Sequence, residues 1–366
     1  MIYYLLPAHS RFTTDEFFSF EDAAFVNRFQ VIDFEQLPAL RRFERGTYVI
    51  AGIDQAEPAM KELITSLCDQ LDAGGGSRIL NWPKNTLGRF DLLRRLHTAG
   101  WSDVRVARGD EDLDRLRYPV FVRSERGHGG NLSPLLETPG AVRDALGRAL
   151  LEGHSFDDLM VVEFCSTADA CGVFRKYAAY NVGGCILGRS LNAGREWMLK
   201  LETSDLTHEL VMEDQQYVMN NPHREQLAAL FQFANIDFGQ IDYSMKDGRI
   251  QTWEINVNPT IGRGVKPGGG VGPMELWPIR TETREFFFER FRKAWIDLDC
   301  IPAGSRPVDV VFDAAVARAA TRRRPSEGAA RRIARTLLRP MKPLLKPVVS
   351  RLVGQLATRR RFQEFS

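Results

Sequence analysis

The chain has 366 residues, 44% of them hydrophobic and 26% charged, which is more than one small domain needs and excludes a wholly disordered polymer. Its net charge of +2 hides an asymmetry: residues 301–366 hold 15 Lys or Arg against 4 Asp or Glu. The remaining 34 basic and 43 acidic residues give residues 1–300 a charge of −9, an acidic body with a basic end.

No run of about 18 apolar residues occurs, which argues against a transmembrane helix. The start, residues 1–12, lacks the basic region of a secretory signal and reads as a buried first strand. Five cysteines (Cys68, Cys165, Cys171, Cys185, Cys300) occur without a C-x-x-C pair. They argue against a disulfide framework or thiolate zinc site and fit a cytoplasmic location.

Residues 1–80 alternate strand and helix signals. An apolar run at residues 2–6 and a glycine-bounded β-rich run at residues 46–52 precede a helix over 59–71. This predicts a small open α/β domain. Residues 81–155 add a helix ending near Gly100, a strand over 118–123, a glycine loop and a helix over 139–152. Residues 156–302 begin with a strand at 160–164. A hairpin turning at Gly183-Gly184, a helix over 222–235, a second hairpin over 236–256 and a helix over 281–296 follow. Residues 303–366 form a basic tail broken by Pro325, Pro340, Pro343 and Pro347, partly disordered or amphipathic. Three fates stay open for it: a peripheral membrane contact, a protein contact, or disorder. Nucleic acid is not expected, because no aromatic platform accompanies the charge.

Neither a Walker loop nor a G-x-G-x-x-G after a strand is present. The most informative segment runs from Gly239 to Pro259. Alternation along a strand puts Glu254 and Asn256 on one face, and their oxygens suit Mg2+. Asp242 must join them from the partner strand. A two-residue turn at Asp247-Gly248 would place Asp242 opposite Trp253, on the wrong face. A three-residue loop, Lys246-Asp247-Gly248, places it opposite Thr252, and this loop is the expectation. Of the adjacent Arg175 and Lys176, only one can face a cleft. Lys176 is preferred, since Ala178 and Tyr180 share its face, and Arg175 becomes an outer contact or a substrate carboxylate ligand.

On these residues the chain resembles the ATP-grasp superfamily, close in layout to the ribosomal-protein glutamate ligases and glutathione synthetases. The resemblance covers about residues 80–265, in order. Arg89, ahead of Gly100, and Arg123, ending Pro119-Val120-Phe121-Val122-Arg123, stand where the family has nucleotide-binding lysines. Gly127-His128-Gly129-Gly130-Asn131-Leu132 is similar to its phosphate loop, and Val161-Val162-Glu163-Phe164 to its adenine hinge. Asp242, Glu254 and Asn256 are similar to its metal set.

The resemblance implies an α/β ATP-grasp fold, two subdomains gripping ATP behind an N-terminal pre-grasp domain. It implies ATP and Mg2+ (or Mn2+) as cofactors. Nucleotide would be bound by Arg89, Arg123, Gly127, His128, Gly129, Gly130, Glu163, Phe164 and Lys176, with Asp169 as a ribose partner. Arg123, Lys176 and Arg263 would act in catalysis, with Lys200, Thr260, Gly262, Gly264 and Lys266 as further candidates near the phosphates or the reacting oxyanion. The implied activity is an ADP-forming carboxylate–amine ligase that passes through an acylphosphate. Its substrate would be a small molecule or peptide bearing a carboxylate and an amine, and a homodimer would match relatives. Two alternatives stay open. One is a phosphotransferase acting on a small-molecule hydroxyl. The other is a nucleotide-binding scaffold without turnover, suggested by arginine in place of both lysines.

Overall fold

The computed structural model describes residues 1–127, 129–199, 204–262, 273–299 and 306–321. In chain order the elements begin β1 (Ile2–Leu6), α1 (Phe12–Ser19), α2 (Ala23–Val26), β2 (Phe29–Asp33), β3 (Arg42–Phe43), β4 (Thr47–Ile50), α3 (Pro58–Ala73) and β5 (Arg78–Leu80). Next come α4 (Arg89–Thr98), β6 (Val106–Arg108), β7 (Val120–Ser124), α5 (Pro139–Leu151) and β8 (Leu159–Glu163). The chain continues with β9 (Phe174–Val182), β10 (Cys185–Gly194), α6 (His208–Asn220), α7 (Arg224–Ala234), β11 (Phe238–Lys246) and β12 (Arg249–Asn256). It closes with α8 (Trp277–Leu298), β13 (Val308–Asp309) and α9 (Ala314–Thr321).

The chain divides into two compact units. Among the described residues one comprises 1–87 and 167–321, the other 88–166. In the first unit, β2-β1-β4-β5 form a parallel sheet. All five residues of β1 are buried, as expected for a parallel strand covered on both faces. Helix α3 starts with Pro58 in its first turn and buries Met60, Leu63, Ile64, Leu67 and Leu71, one stripe at helical spacing. A second, antiparallel sheet has the order β10-β9-β11-β12. Gly183 and Gly184, both at positive φ, turn β9 into β10. Asn81 ties the two sheets: its Nδ2 donates to the Phe238 carbonyl at 2.7 Å and its Oδ1 accepts from the amides of Asp237 and Phe238.

The second unit is the antiparallel sheet β6-β8-β7 with α5 on one face. Val120, Val122, Leu159 and Val161 pack there against Val142 and Leu146. The sequence groups β8 with the metal-bearing hairpins, but β8 pairs with β6 and β7. Hence the observed limits are 88–166, in place of 81–155. Of the expected tail, 303–366, the structure describes residues 306–321. Residues 308–309 pair with β3, Val311 exchanges hydrogen bonds with Gln70, and α9 packs on α3. The later tail lies outside the described residues. No described helix is long and apolar enough to cross a membrane.

Candidate functional site

The β11–β12 hairpin corrects the expected loop. Lys246 pairs with Arg249, so the turn is the two-residue Asp247-Gly248. Both turn residues have positive φ, 50° and 73°, the pattern of a twisted two-residue hairpin. The register then shifts between Asp242 and Tyr243: Tyr243 pairs with Thr252, while Asp242 pairs with Glu254. Trp253 is the extra residue of a β-bulge, and its Nε1 donates to the Ser244 hydroxyl at 3.0 Å. The bulge returns Glu254 to the face of Asp242, which the sequence reached through the wrong loop.

A row therefore crosses the four-stranded sheet: Ser190, Ala178, Asp242, Glu254. Lys176 lies one pleat along from Ala178 on the same face, and its Nζ stands 3.2 Å from Asp242 Oδ2. The opposite face takes Arg175, paired with Asp169 at 2.6 Å and Glu213 at 2.8 Å. Gln240 pairs with Asn256, and its Nε2 donates to Asp242 Oδ1 at 3.1 Å. Asn256 Oδ1 accepts the Asn258 amide at 2.9 Å. Gln240 was missed by sequence reasoning, although its place two residues before Asp242 carried the signal.

Burial raises the Asp242 carboxyl above its ordinary value; the Lys176 ammonium opposes this and the Glu254 carboxylate adds to it. Two carboxylates thus face one lysine. That surplus negative charge, with amide oxygens alongside, fits a hard divalent cation held by Asp242, Glu254 and Asn256. Among the described residues there is no cluster of three or more His, Cys, Asp or Glu placed as a metal site. The donor set here is two carboxylates plus an amide.

In the second unit, Arg89 opens α4 and is only 7% exposed. Its Nη1 donates to the carbonyls of Ser124 and Gly127, both at 3.0 Å, so it grips the base of the glycine loop. Arg123 pairs across β8 with Met160, which also pairs with Arg108, so Arg123 and Arg108 share a face. Gly127 donates its amide to Ser124 Oγ at 2.8 Å, and a Cβ there would stand 2.7 Å from that oxygen. Gly130 has φ +90°, and neither it nor Gly129 has an atom within 4 Å of a built Cβ. Asp158, 1% exposed and unnoticed in the sequence, accepts from the Ser124 hydroxyl and from the Arg126 amide and Nε.

Glu163 is 2% exposed and accepts from the Arg117 amide and Nε, both at 2.8 Å; the Phe164 amide donates to the Pro119 carbonyl at 3.0 Å. The Glu163 carboxylate therefore fastens the turn before β7. Asp169 accepts from the Val173 and Cys171 amides, which together with Arg175 hold its carboxyl below the usual range. Asp169, Arg175, Tyr177 and Lys246 line a cavity of about 250 Å³. His128, Lys200, Arg263, Gly264 and Lys266 lie outside the described residues.

No protein-family model matches the chain, and no curated protein matches it. Solved structures do. The D-alanine–D-alanine ligase of Bacillus anthracis, complexed with ATP, aligns at TM-score 0.44 and 15% identity, over 80% of this chain and 99% of that one. The D-alanine–D-alanine ligase of Helicobacter pylori aligns at 0.41 and 10%, over 80% and 98%. The ATP-grasp ligase PsnB, complexed with a minimal precursor, aligns at 0.40 and 12%, over 70% and 90%. This is a likeness of chain course, and the side chains of the site are this chain's own.

Proposed function

We propose that the protein is an ATP- and Mg2+-dependent ligase joining a carboxylate to an amine. The observation that carries this reading is the row across the sheet, with Asp242 opposite Glu254 and Lys176 at 3.2 Å from Asp242. In the proposed reaction a substrate carboxylate oxygen attacks the γ-phosphorus of ATP, and the bond to the bridging oxygen breaks, releasing ADP. The amine nitrogen then attacks the acyl carbon, inorganic phosphate leaves and the amine loses a proton. Such chemistry asks for charge neutralisation and positioning rather than a side-chain nucleophile.

Lys176 and Arg123 supply positive charge for the phosphates, and Arg263 is proposed to act beside them. Arg89 holds the glycine loop through Ser124 and Gly127, Gly127 anchors the loop by donating its amide to Ser124 Oγ, and the loop amides of His128, Gly129 and Gly130 are proposed to cradle phosphate. Asp242, Glu254 and Asn256 would hold Mg2+ (or Mn2+), which when bound offsets phosphate charge. Glu163, Phe164 and Asp169 are proposed to border the nucleoside. A cytoplasmic location belongs to the same proposal.

Nucleotide binding without turnover is the second reading. Arg89 favours it, because the guanidinium that stands at a family lysine position donates to two backbone carbonyls. ADP release with Mg-ATP, across amino acids and short peptides, tests both. Glu254→Gln should lower substrate-dependent ADP release roughly 100-fold. Mass analysis then separates an amide from a phosphate ester. Nucleotide binding with no ADP from any substrate would favour the second reading, and no nucleotide binding would sink both.

A further inference from the structure

The glycine loop leaves β7 at Ser124 and rejoins it at Asn131, which bridges to Arg123, while the Leu132 amide donates to the Val122 carbonyl at 2.7 Å. Between those ends Gly129 and Gly130 have open space where a Cβ would stand. Packing cannot steer those two glycines, so hydrogen bonds at the ends set the course of the loop. The outgoing end is clamped from two sides. On one side Arg89 Nη1 donates to the Ser124 and Gly127 carbonyls. On the other, the Ser124–Glu125 peptide donates its amide to the Asp158 carbonyl at 2.7 Å. The Asp158 carboxylate adds three bonds, from the Ser124 hydroxyl, from the Arg126 amide at 3.0 Å and from Arg126 Nε at 3.1 Å.

The Ser124 oxygen in turn accepts the Gly127 amide at 2.8 Å, so two consecutive bonds run from Asp158 through Ser124 to Gly127. Gly127 must be a glycine for this, since a Cβ there would stand 2.7 Å from that oxygen. Asp158 closes the short turn Phe156–Asp158 ahead of β8, its amide donating to the Ser155 carbonyl at 3.1 Å. A neutral residue would close that turn equally well. A carboxylate that is only 1% exposed is costly unless it is paired and hydrogen-bonded. The side chains it meets here, Ser124 and Arg126, both belong to the base of the loop. Its charge therefore serves the loop rather than the turn.

We propose that Asp158 is a positioning residue for nucleotide phosphates: through the Ser124 hydroxyl it fixes the Gly127 end of the glycine loop. The proposal rests on the nucleotide reading of that loop and names the group that aims it. Displacement of a fluorescent ATP analogue from the full chain, with Mg2+ present, ranks adenosine, AMP, ADP and ATP, weak ligands as well as strong. Asp158→Asn should weaken ATP and ADP about tenfold, the loss of one hydrogen bond to a charged group, and leave adenosine and AMP within about twofold. Ser124→Ala breaks the same link but leaves Arg126 on Asp158, so it answers the question even if Asp158→Asn fails to fold. It should show the same split between ligands. Because both residues act through one bond, the double variant should lose no more than the weaker-binding single one.

An equal loss for adenosine and ATP would make Asp158 a residue of general folding and overturn the proposal. Unchanged ATP affinity in the variants would overturn it too, as would losses that multiply in the double variant. Each of these results leaves the nucleotide reading standing, because the parent still binds ATP. A parent that binds none of the four ligands would remove both.

Discussion

Burial raises the Asp214 carboxyl to about 6 from an unperturbed 3.8, against the pull of the Leu191 amide and of Arg189 and Arg280. The folded-state value lies above the unfolded one. Between those two pH values the folded chain binds more protons, so stability falls as pH rises through the window. Above about pH 6 the full penalty is present, at most ~3 kcal/mol. Asp214→Asn removes the charge and keeps an oxygen for the Leu191 amide, bonded at 2.6 Å. Denaturant titrations should therefore show the variant more stable than the parent at pH 7 and equal to it near pH 4. The same offset at both pH values would overturn the assignment. Residue types at the site were legible in the sequence, and Asp242, Glu254 and Lys176 do meet on one face, Glu254 by way of the bulge at Trp253. What arginine does at position 89 was not legible. Its target carbonyls, Ser124 and Gly127, are set by how the loop folds back, and no spacing in the sequence encodes that.

At the scale of elements, the β11–β12 hairpin shows where periodicity stops being enough. Alternation fixed which residues of one strand share a face, but cross-strand register depends on turn and bulge together. The sequence offered Asp247-Gly248 as a turn signal, and the structure uses it as the whole turn. The compensating irregularity falls at Trp253, whose indole bonds Ser244 across the ladder, a tertiary choice invisible in a list of β-formers. Gly248 has φ +73° with open space around its missing Cβ, so a substitution there meets backbone strain alone. Gly248→Ala should cost about 1 kcal/mol, seen as a lower denaturation midpoint with an unchanged slope. No loss would mean that the turn relaxes without the left-handed residue. Helices α1 and α6 were not anticipated. The buried set of α1 is Thr13, Thr14 and Phe17, two threonines and one aromatic, too polar a stripe to read as a core face.

At the scale of the molecule, the first unit is discontinuous in sequence because β11 and α8 come back to the N-terminal sheet. Trp295 is 1% exposed and lies 5.3 Å from Phe29, 6.1 Å from Tyr4, 5.0 Å from Phe238 and 6.0 Å from Phe291, measured between ring centroids. Those partners come from β1, β2, β11 and α8, so one indole joins the two four-stranded sheets of the unit. Sequence reading saw an N-terminal domain ending near residue 80, since alternating strand and helix signals over 1–80 suggest a local α/β domain and say nothing about a distant strand that returns. The two segments should therefore unfold together. Hydrogen exchange should give the amides of β1 and β11 the same opening free energy. Trp295→Ala should lower both by a common ~3–5 kcal/mol, the usual cost of emptying a buried aromatic site. If β1 loosened while β11 kept its protection, residues 1–87 would be a domain in their own right, and α8 would be packing rather than a strut.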